Sequence, residues 1–142
     1  VIDRAVTIFN SNDYDYVSNT INPTFPEGID VEVFSFSALS RAEHEAKKES
    51  EREHVTPYIW SNPDIFSIMN FTAKTDDSDI RLTVDYPSDL KMLNSINKLC
   101  NDLKSSSYSE VVNILRMNKK IMDLNKNIAR NEGYLESVSK EK

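Results

Sequence analysis

The sequence has 142 residues, of which 39% are hydrophobic, and a formal net charge of -6 at pH 7. This length is sufficient for one domain with a modest hydrophobic core. No cluster of Lys or Arg is longer than a pair, and because phosphate binding requires concentrated positive charge, this argues against nucleic acid as a partner. No apolar run approaches the roughly 18 residues that span a bilayer, and the first residues lack a signal-peptide pattern, so we expect no membrane partner and a cytoplasmic location. Two glycines, Gly28 and Gly133, exclude the glycine-rich phosphate-binding motifs, and the single cysteine, Cys100, excludes an internal disulfide or a cysteine-built zinc site.

The first quarter of the sequence combines helical and extended patterns. Apolar residues at helical spacing predict a helix from Ile2 that ends before the turn cluster at 10–13. Strand-forming residues follow at 14–18, and after an irregular connection the period-two pattern at 31–34 predicts a second strand. The sequence begins inside the first helix and without methionine, so we expect a fragment of a longer protein.

The middle of the sequence continues this alternation. Helix-forming composition covers 37–49, and a capping box of Ser50 and Glu53 predicts a new helix that Pro57 should kink or restart. Apolar-rich runs predict two more strands, at 66–72 and 80–84. Together these patterns indicate an α/β protein.

The last third of the sequence is predicted to be helical. Pro87 opens the clearest helix, which should run to about 103 or 104 with an apolar stripe of Leu90, Leu93, Ile96, Leu99 and Leu103. A second capping box, Ser107 with Glu110, predicts another helix, and a shorter helical stretch follows at 120–124. The last 18 residues are polar and show little pattern.

Three groups of polar residues are candidates for chemistry. Asp85 follows a predicted strand and precedes a helix, a position where a carboxylate can hold Mg²⁺ against a phosphate, although acidic residues here also simply favour a helix start. Arg52 and His54 can bind an anion or a substrate oxygen, or they belong to a solvated helix face. Asp30 and Glu32 can hydrogen-bond sugar hydroxyls or hold a second metal ion, or they belong to a turn and an exposed strand face.

Three ordered segments, at 24–34, 50–59 and 81–90, and the tail at 127–134 carry a family resemblance. In order and spacing they resemble the C-terminal half of the cytidylyltransferases typified by spore coat polysaccharide biosynthesis protein F, which are related to the CMP-sialic acid and CMP-Kdo synthetases. The resemblance implies a nucleotide-diphospho-sugar transferase fold, a Rossmann-like mixed sheet with flanking helices, of which the chain would be the C-terminal part only. Residues 1–104 would then be the acceptor-sugar and metal-binding part, and 105–142 a helical extension and tail.

The resemblance also implies a reaction. A sugar oxygen attacks the α-phosphate of CTP, pyrophosphate leaves, and Mg²⁺ neutralises the developing charge. Asp85 matches the metal-binding aspartate of the family and is the implied catalytic residue. Four residues match the acceptor-sugar side, namely Asp30, Glu32, Arg52 and His54. The implied product is a CMP-activated acidic or amino sugar for surface polysaccharide.

The segment that binds CTP in this family has no counterpart in the sequence, so the chain alone is expected to be inactive. A fragment that lacks part of a shared sheet should expose apolar surface, which predicts a homodimer, self-association or binding to the missing half. Two alternatives stay open at this point. One is a non-catalytic acidic interaction module, and the other is a nucleotidyltransferase that uses another base or sugar.

Overall fold

The computed structural model describes residues 1–100 and 102–141. Over these residues the chain forms eight helices and three short strands, and no helix among them has the length and apolar character needed to cross a membrane. In chain order the elements are α1 (Ile2–Asn10), β1 (Tyr16–Ser18), β2 (Glu32–Phe34), α2 (Phe36–Glu45), α3 (Glu49–Glu53), α4 (Pro57–Trp60), β3 (Ile68–Asn70), α5 (Pro87–Asn97), α6 (Tyr108–Met117), α7 (Lys119–Met122) and α8 (Glu132–Lys140). The small mixed sheet with flanking helices confirms the predicted α/β class.

The chain divides into two compact units. The first unit comprises Val1–Pro23, Asp30–Thr72 and the chain from Asn131 onward, and the second comprises Thr24–Ile29 and Ala73–Arg130. The sequence-based division between 104 and 105 falls inside the second unit, because α6 and α5 share one hydrophobic core. The roles predicted for 1–104 and 105–142 stay predictions, and residue 142 lies outside the described residues.

A three-stranded mixed sheet lies at the centre of the first unit. β1 is antiparallel to β2 on one side and parallel to β3 on the other, so that Val17 pairs with both Val33 and Met69. α2 begins at Ser35, whose Oγ accepts a hydrogen bond from the Ala38 amide. The core of this unit consists of Tyr16, Ala38, Ala42, Ile59 and Phe66.

Three helices and the loops between them build the second unit. Its core consists of Ile80, Met92, Ile96, Val111, Val112 and Leu115. The predicted capping box at the start of α6 is confirmed, because Ser107 Oγ accepts from the Glu110 amide while the Glu110 carboxylate accepts from the Ser107 amide at 2.7 Å.

The predicted strand at 80–84 is wrong. Arg81 forms only an isolated parallel bridge with Glu27. Gly28, which follows Glu27 directly, has φ +96° and turns the chain away, so the pairing stops after one residue pair. A Cβ at Gly28 would lie 2.9 Å from backbone atoms of both Leu82 and Thr83, so the position accepts glycine alone.

The helix predicted from Pro87 to 103 or 104 ends earlier, at Asn97. The amides of Leu99 and Cys100 both donate to the carbonyl of Ile96, which closes the helix with a turn. The predicted stripe is also wrong in part, because Leu90 and Leu99 are exposed, whereas Ile96 is buried as predicted and Met92 lies beside it in the core. Residue 101, which falls in the predicted extension, lies outside the described residues.

The helix predicted to be capped by Ser50 and Glu53 starts one residue earlier than Ser50. α3 begins at Glu49, and the carboxylate of Glu51 accepts from the amides of Lys47 and Lys48. The Ser50 amide donates to the Glu141 carboxylate at 2.6 Å. Glu141 directly follows α8, a helix that the weak sequence pattern of the tail does not predict. A residue distant in sequence therefore completes the hydrogen bonding at the start of α3.

Candidate functional site

The first unit contains a concave pocket of about 370 Å³, here called the first-unit pocket. The residues that form it come from the segment after β1, from the start of β2 and the loop before it, from α4 and the turn before it, and from the start of α8. They are Thr20, Ile21, Asp30, Glu32, His54, Thr56, Pro57, Trp60, Asn131 and Tyr134. Three of the four residues predicted to contact the acceptor sugar, Asp30, Glu32 and His54, therefore line one pocket.

Glu32 is fixed in the pocket by two hydroxyl groups. Its Oε1 accepts from Tyr16 Oη at 2.8 Å and from Thr56 Oγ1 at 3.3 Å. Burial, and then the neighbouring Glu32 carboxylate, raise the pKa of Tyr16 well above its ordinary value, so the phenol stays a donor. Glu32 is thereby held as an oriented acceptor, and the second oxygen of its carboxylate is available to a ligand.

His54 is held by the C-terminal helix. Its Nε2 lies 3.1 Å from Ser137 Oγ, and that hydroxyl donates its single proton to the Glu53 carboxylate at 2.7 Å or to the Gly133 carbonyl at 3.1 Å. In either case Nε2 must be the donor to Ser137. The neutral ring consequently carries its proton on Nε2 and keeps the lone pair on Nδ1, a tautomer inferred from the hydrogen-bond network.

The turn that carries His54 into the pocket is strained. The Thr56 amide donates to the His54 carbonyl at 2.8 Å, and the intervening Val55 has φ +69°. A β-branched residue is a genuine outlier in this left-handed region, which costs of order 1–3 kcal/mol. Backbone strain of this kind clusters at functional sites, and here it separates two residues that line the first-unit pocket.

Two aromatic side chains form one side of the pocket. The rings of Trp60 and Tyr134 meet edge to face at 5.7 Å, and Tyr134 meets His54 in the same manner at 5.4 Å. The sequence analysis named neither Trp60 nor Tyr134 as a site residue. Tyr134 lies in α8, whose weak pattern gave no reason to place it beside α4, although the tail did carry part of the family resemblance.

Arg52 does not line the first-unit pocket. Its guanidinium donates to the Glu43 carbonyl at 2.9 Å and lies 3.8 Å from the Glu43 carboxylate, on the surface between α2 and α3. The structure therefore separates Arg52 from the other three predicted sugar contacts, and its role stays a prediction.

Asp85 belongs to the second unit, directly before α5. Its Oδ2 accepts from Arg81 Nη2 at 2.6 Å, while its side chain is 64% exposed. Glu27 and Asp89 bind the same guanidinium, at 2.9 Å and 3.1 Å. Within the described residues, no group of three or more His, Cys, Asp or Glu side chains is placed to hold a metal ion.

These contacts limit how Asp85 can bind Mg²⁺. In nucleotide sites Mg²⁺ is commonly held by one or two carboxylates together with phosphate oxygens and water. The exposed carboxylate of Asp85 is compatible with one such contact, while the guanidinium of Arg81 already occupies one of its oxygens and also pairs with Glu27 and Asp89. The role of Asp85 as a metal ligand stays a prediction.

Comparison with known proteins identifies two relatives, while no model of a protein family matches the chain. An uncharacterized protein of Methanocaldococcus jannaschii is 36% identical over 138 residues, which are 96% of this chain and 55% of that protein. The solved structure of a cytidylyltransferase from Leptospira borgpetersenii serovar Hardjo-bovis superposes with a TM-score of 0.80 at 29% identity, over 89% of this chain and 52% of that one. The chain spans about half the length of both. It therefore has a cytidylyltransferase-like fold, of the nucleotide-sugar transferase type.

Proposed function

We propose that the protein is a nucleotidyltransferase of the cytidylyltransferase type, and that the first-unit pocket receives the acceptor sugar. The observation that carries this proposal is the similarity to a solved cytidylyltransferase, with a TM-score of 0.80 over 89% of the chain. The acceptor would be an acidic or amino sugar that is activated for surface polysaccharide.

The proposed reaction is an in-line displacement. A hydroxyl oxygen of the sugar forms a bond to the α-phosphorus of CTP, the bond from that phosphorus to the bridging oxygen breaks, and pyrophosphate leaves while the hydroxyl proton is released. Catalysis of this kind depends on positioning and electrostatics. CTP would be bound by sequence that has no counterpart in these 142 residues.

The residues of the first-unit pocket suit the positioning of an acceptor. Carboxylates such as those of Asp30 and Glu32 accept hydrogen bonds from hydroxyl groups, and the ring of His54 offers a further nitrogen, Nδ1, for a hydrogen bond. The fixed partners of Glu32 and His54 reduce the freedom that the side chains lose when the ligand binds. This preorganisation supports a binding role for the pocket.

Asp85 is the residue of this chain that we propose as a contact of Mg²⁺. When bound, the ion would neutralise charge on the nucleotide phosphates. A substitution Asp85→Asn should then lower kcat while leaving KM for the sugar unchanged. Asp123→Asn is the control, because Asp123 is exposed in the same unit and pairs with Lys126. Equal kcat in both variants would remove Asp85 from the proposal.

The proposed activity is tested by incubating the protein, expressed from its whole reading frame, with CTP, Mg²⁺ and a panel of sugars. Pyrophosphate release is followed, and the second product is identified by mass spectrometry. We expect pyrophosphate and a CMP-sugar in equal amounts. Pyrophosphate release with another nucleoside triphosphate but not with CTP would mean that the enzyme uses a different base from the one proposed. No pyrophosphate release with any nucleotide would favour a non-catalytic interaction module.

A further inference from the structure

Three polar side chains connect the first-unit pocket to an exposed carboxylate of α3. His54 lines the pocket, its Nε2 lies 3.1 Å from Ser137 Oγ, and Ser137 Oγ lies 2.7 Å from the Glu53 carboxylate. The Glu53 carboxylate is also only 3.7 Å from His54 Nε2, a distance at which it stabilises a positive charge on the ring. A histidine ring that is oriented by a hydroxyl and a carboxylate is a common arrangement for a base in enzymes.

The direction of these hydrogen bonds determines which ring nitrogen of His54 can accept a proton. Ser137 has one hydroxyl proton, which it donates to the Glu53 carboxylate or to the Gly133 carbonyl. Nε2 of the neutral ring therefore donates to Ser137, and the lone pair of the ring lies on Nδ1. Nδ1 is consequently the nitrogen that can take a proton from a ligand in the pocket.

His54 also has the chemistry and the backbone position that a proton acceptor requires. Histidine is the side chain whose charge changes between about pH 5 and 8, whereas a carboxylate is a weak base in this range. Among the described residues that line the pocket, His54 is the one histidine. Thr56, whose amide donates to the His54 carbonyl, also donates through Oγ1 to Glu32, so the turn that carries His54 is tied to β2.

We propose that His54 accepts the proton of the attacking hydroxyl in the nucleotidyl transfer, and that Ser137 and Glu53 are positioning residues that hold it for this step. The inference rests on the proposed function, because the hydroxyl belongs to the acceptor sugar. As the hydroxyl oxygen bonds to the α-phosphorus of CTP, its proton passes to Nδ1 of His54. The bond from that phosphorus to the bridging oxygen breaks, and pyrophosphate leaves with its electron pair. Glu53 stabilises the imidazolium through Ser137, and the ring returns its proton to water after the products leave.

His54→Gln separates proton transfer from sugar binding, because the glutamine amide still hydrogen-bonds to a hydroxyl but does not accept a proton. Pyrophosphate release is measured in the protein expressed from its whole reading frame, with CTP, Mg²⁺ and the sugar of the panel that gives the fastest release. We expect kcat to fall about 10²–10⁴-fold while KM for the sugar changes far less. Free imidazole should restore part of the kcat of His54→Ala, because it supplies the missing proton acceptor. His44→Gln is the control, since His44 is exposed on α2 and does not line the pocket.

Substitutions of Ser137 and Glu53 test the positioning roles. Ser137→Ala should lower kcat about tenfold, because the hydrogen bond that orients His54 is lost, and Ser137→Thr should restore it by keeping the hydroxyl. Ser139→Ala is the matched control, since the Ser139 hydroxyl donates to a backbone carbonyl in the same helix. Glu53→Gln should also lower kcat, with Glu49→Gln, an exposed glutamate of α3, as its control. Equal kcat in a variant and its control would contradict the positioning role of that residue.

Nitrogen-15 NMR of the two histidines in the sequence provides a readout that does not depend on catalysis. His44 Nδ1 lies 2.7 Å from the Ser40 carbonyl oxygen, which only accepts, so the neutral ring of His44 carries its proton on Nδ1. At about pH 8.5, where histidine is normally neutral, the spectrum should show opposite tautomers, with the proton on Nε2 in His54. His44→Gln assigns the signals, and Ser137→Ala should convert only those of His54 to a mixture of tautomers.

The outcomes distinguish this inference from the proposed function. An unchanged kcat with a raised KM for the sugar in His54→Gln would overturn the proton-acceptor role and leave the sugar-acceptor function intact. A proton on Nδ1 of neutral His54 in the wild type, or no recovery of His54→Ala with imidazole, would overturn the role as well. No pyrophosphate release by the wild type with any nucleotide would overturn the proposed function and this inference together.

Discussion

Arg81 and Asp89 form a bidentate ion pair inside the second unit. Nε and Nη2 of Arg81 donate to the two carboxylate oxygens of Asp89 at 3.1 Å and 3.2 Å, and Asp89 is fully buried. Asn125 and the amides of Asp85 and Tyr86 also donate to this carboxylate, so the pair joins the loop at 81, the start of α5 and the segment after α7. The network is local to the second unit and holds Asp85 in place.

We predict that Asp89→Asn destabilises the protein by about 3–5 kcal/mol, because the substitution leaves the buried Arg81 without the partner that binds it through two hydrogen bonds. Asp85→Asn removes a more exposed partner of the same guanidinium and should cost less than about 1 kcal/mol. Urea denaturation of the two variants measures both values. Equal losses in the free energy of unfolding would show that burial does not determine how much the ion pairs of Arg81 with Asp89 and with Asp85 stabilise the protein.

Acid should remove part of the stability that Asp89 supplies. Burial alone would raise the pKa of Asp89, but hydrogen bonds from Arg81 and Asn125 lower it to about 2. A lowered folded-state pKa stabilises the protein above the unfolded-state value, and this contribution is lost as the pH falls from about 4 towards 2. The expected loss is about 2 kcal/mol.

The acid prediction is measured by urea denaturation between about pH 5 and 2, in the wild type and in Asp89→Asn. The carboxylates outside this network contribute equally to both proteins, so the difference in slope reports Asp89 together with its coupling to Glu27 and Asp85 through Arg81. The wild type should lose about 2 kcal/mol more than the variant over this range. Parallel pH profiles would contradict the lowered pKa.

Two apolar residues of α5 should respond differently to truncation. Ile96 is fully buried in the core of the second unit, whereas Leu90 is 53% exposed. Ile96→Ala should cost about 2–5 kcal/mol because it leaves a cavity, and Leu90→Ala should stay within about 0.5 kcal/mol of the wild type. Thermal or urea unfolding compares them, and a larger loss for Leu90 would reverse the assigned helix face.

The strained turn at Val55 predicts that glycine makes the protein more stable than alanine does at this position, which reverses their usual order. Alanine and glycine both remove the valine side chain, but only glycine adopts φ +69° without strain. Val55→Gly should therefore be more stable than Val55→Ala by about 1 kcal/mol, whereas glycine is usually the less stable of the two. A larger free energy of unfolding for Val55→Ala than for Val55→Gly, measured by urea denaturation, would show that this turn is not strained.

The sequence predicts local structure well and distant contacts poorly. The first helix, the strands around Tyr16 and Val33, and the Ser107 cap follow from patterns within a few residues, and the structure confirms them. The strand predicted at 80–84 fails because its pairing depends on Gly28, more than 50 residues away. The sequence pattern around Gly28 alone does not reveal this dependence.

The sequence likewise predicts the residues of the candidate site that belong to local patterns and misses those that distant contacts bring to it. Asp30, Glu32 and His54 could be selected from local polar clusters and from the family resemblance, and they line one pocket. Tyr134 lines that pocket and Ser137 contacts His54, and both belong to α8, which the sequence pattern does not predict. Their positions depend on tertiary contacts such as the hydrogen bond from the Ser50 amide to Glu141.

Steady-state kinetics of Asp30→Asn test most directly the central claim, that the first-unit pocket binds the acceptor in a nucleotidyl transfer. Pyrophosphate release is measured in the protein expressed from its whole reading frame, with CTP and with the acceptor sugar varied in turn, and Asp64→Asn serves as the control. The account predicts that KM for the sugar rises about tenfold or more while KM for CTP is unchanged. An unchanged KM for the sugar, or a rise in KM for CTP alone, would contradict it.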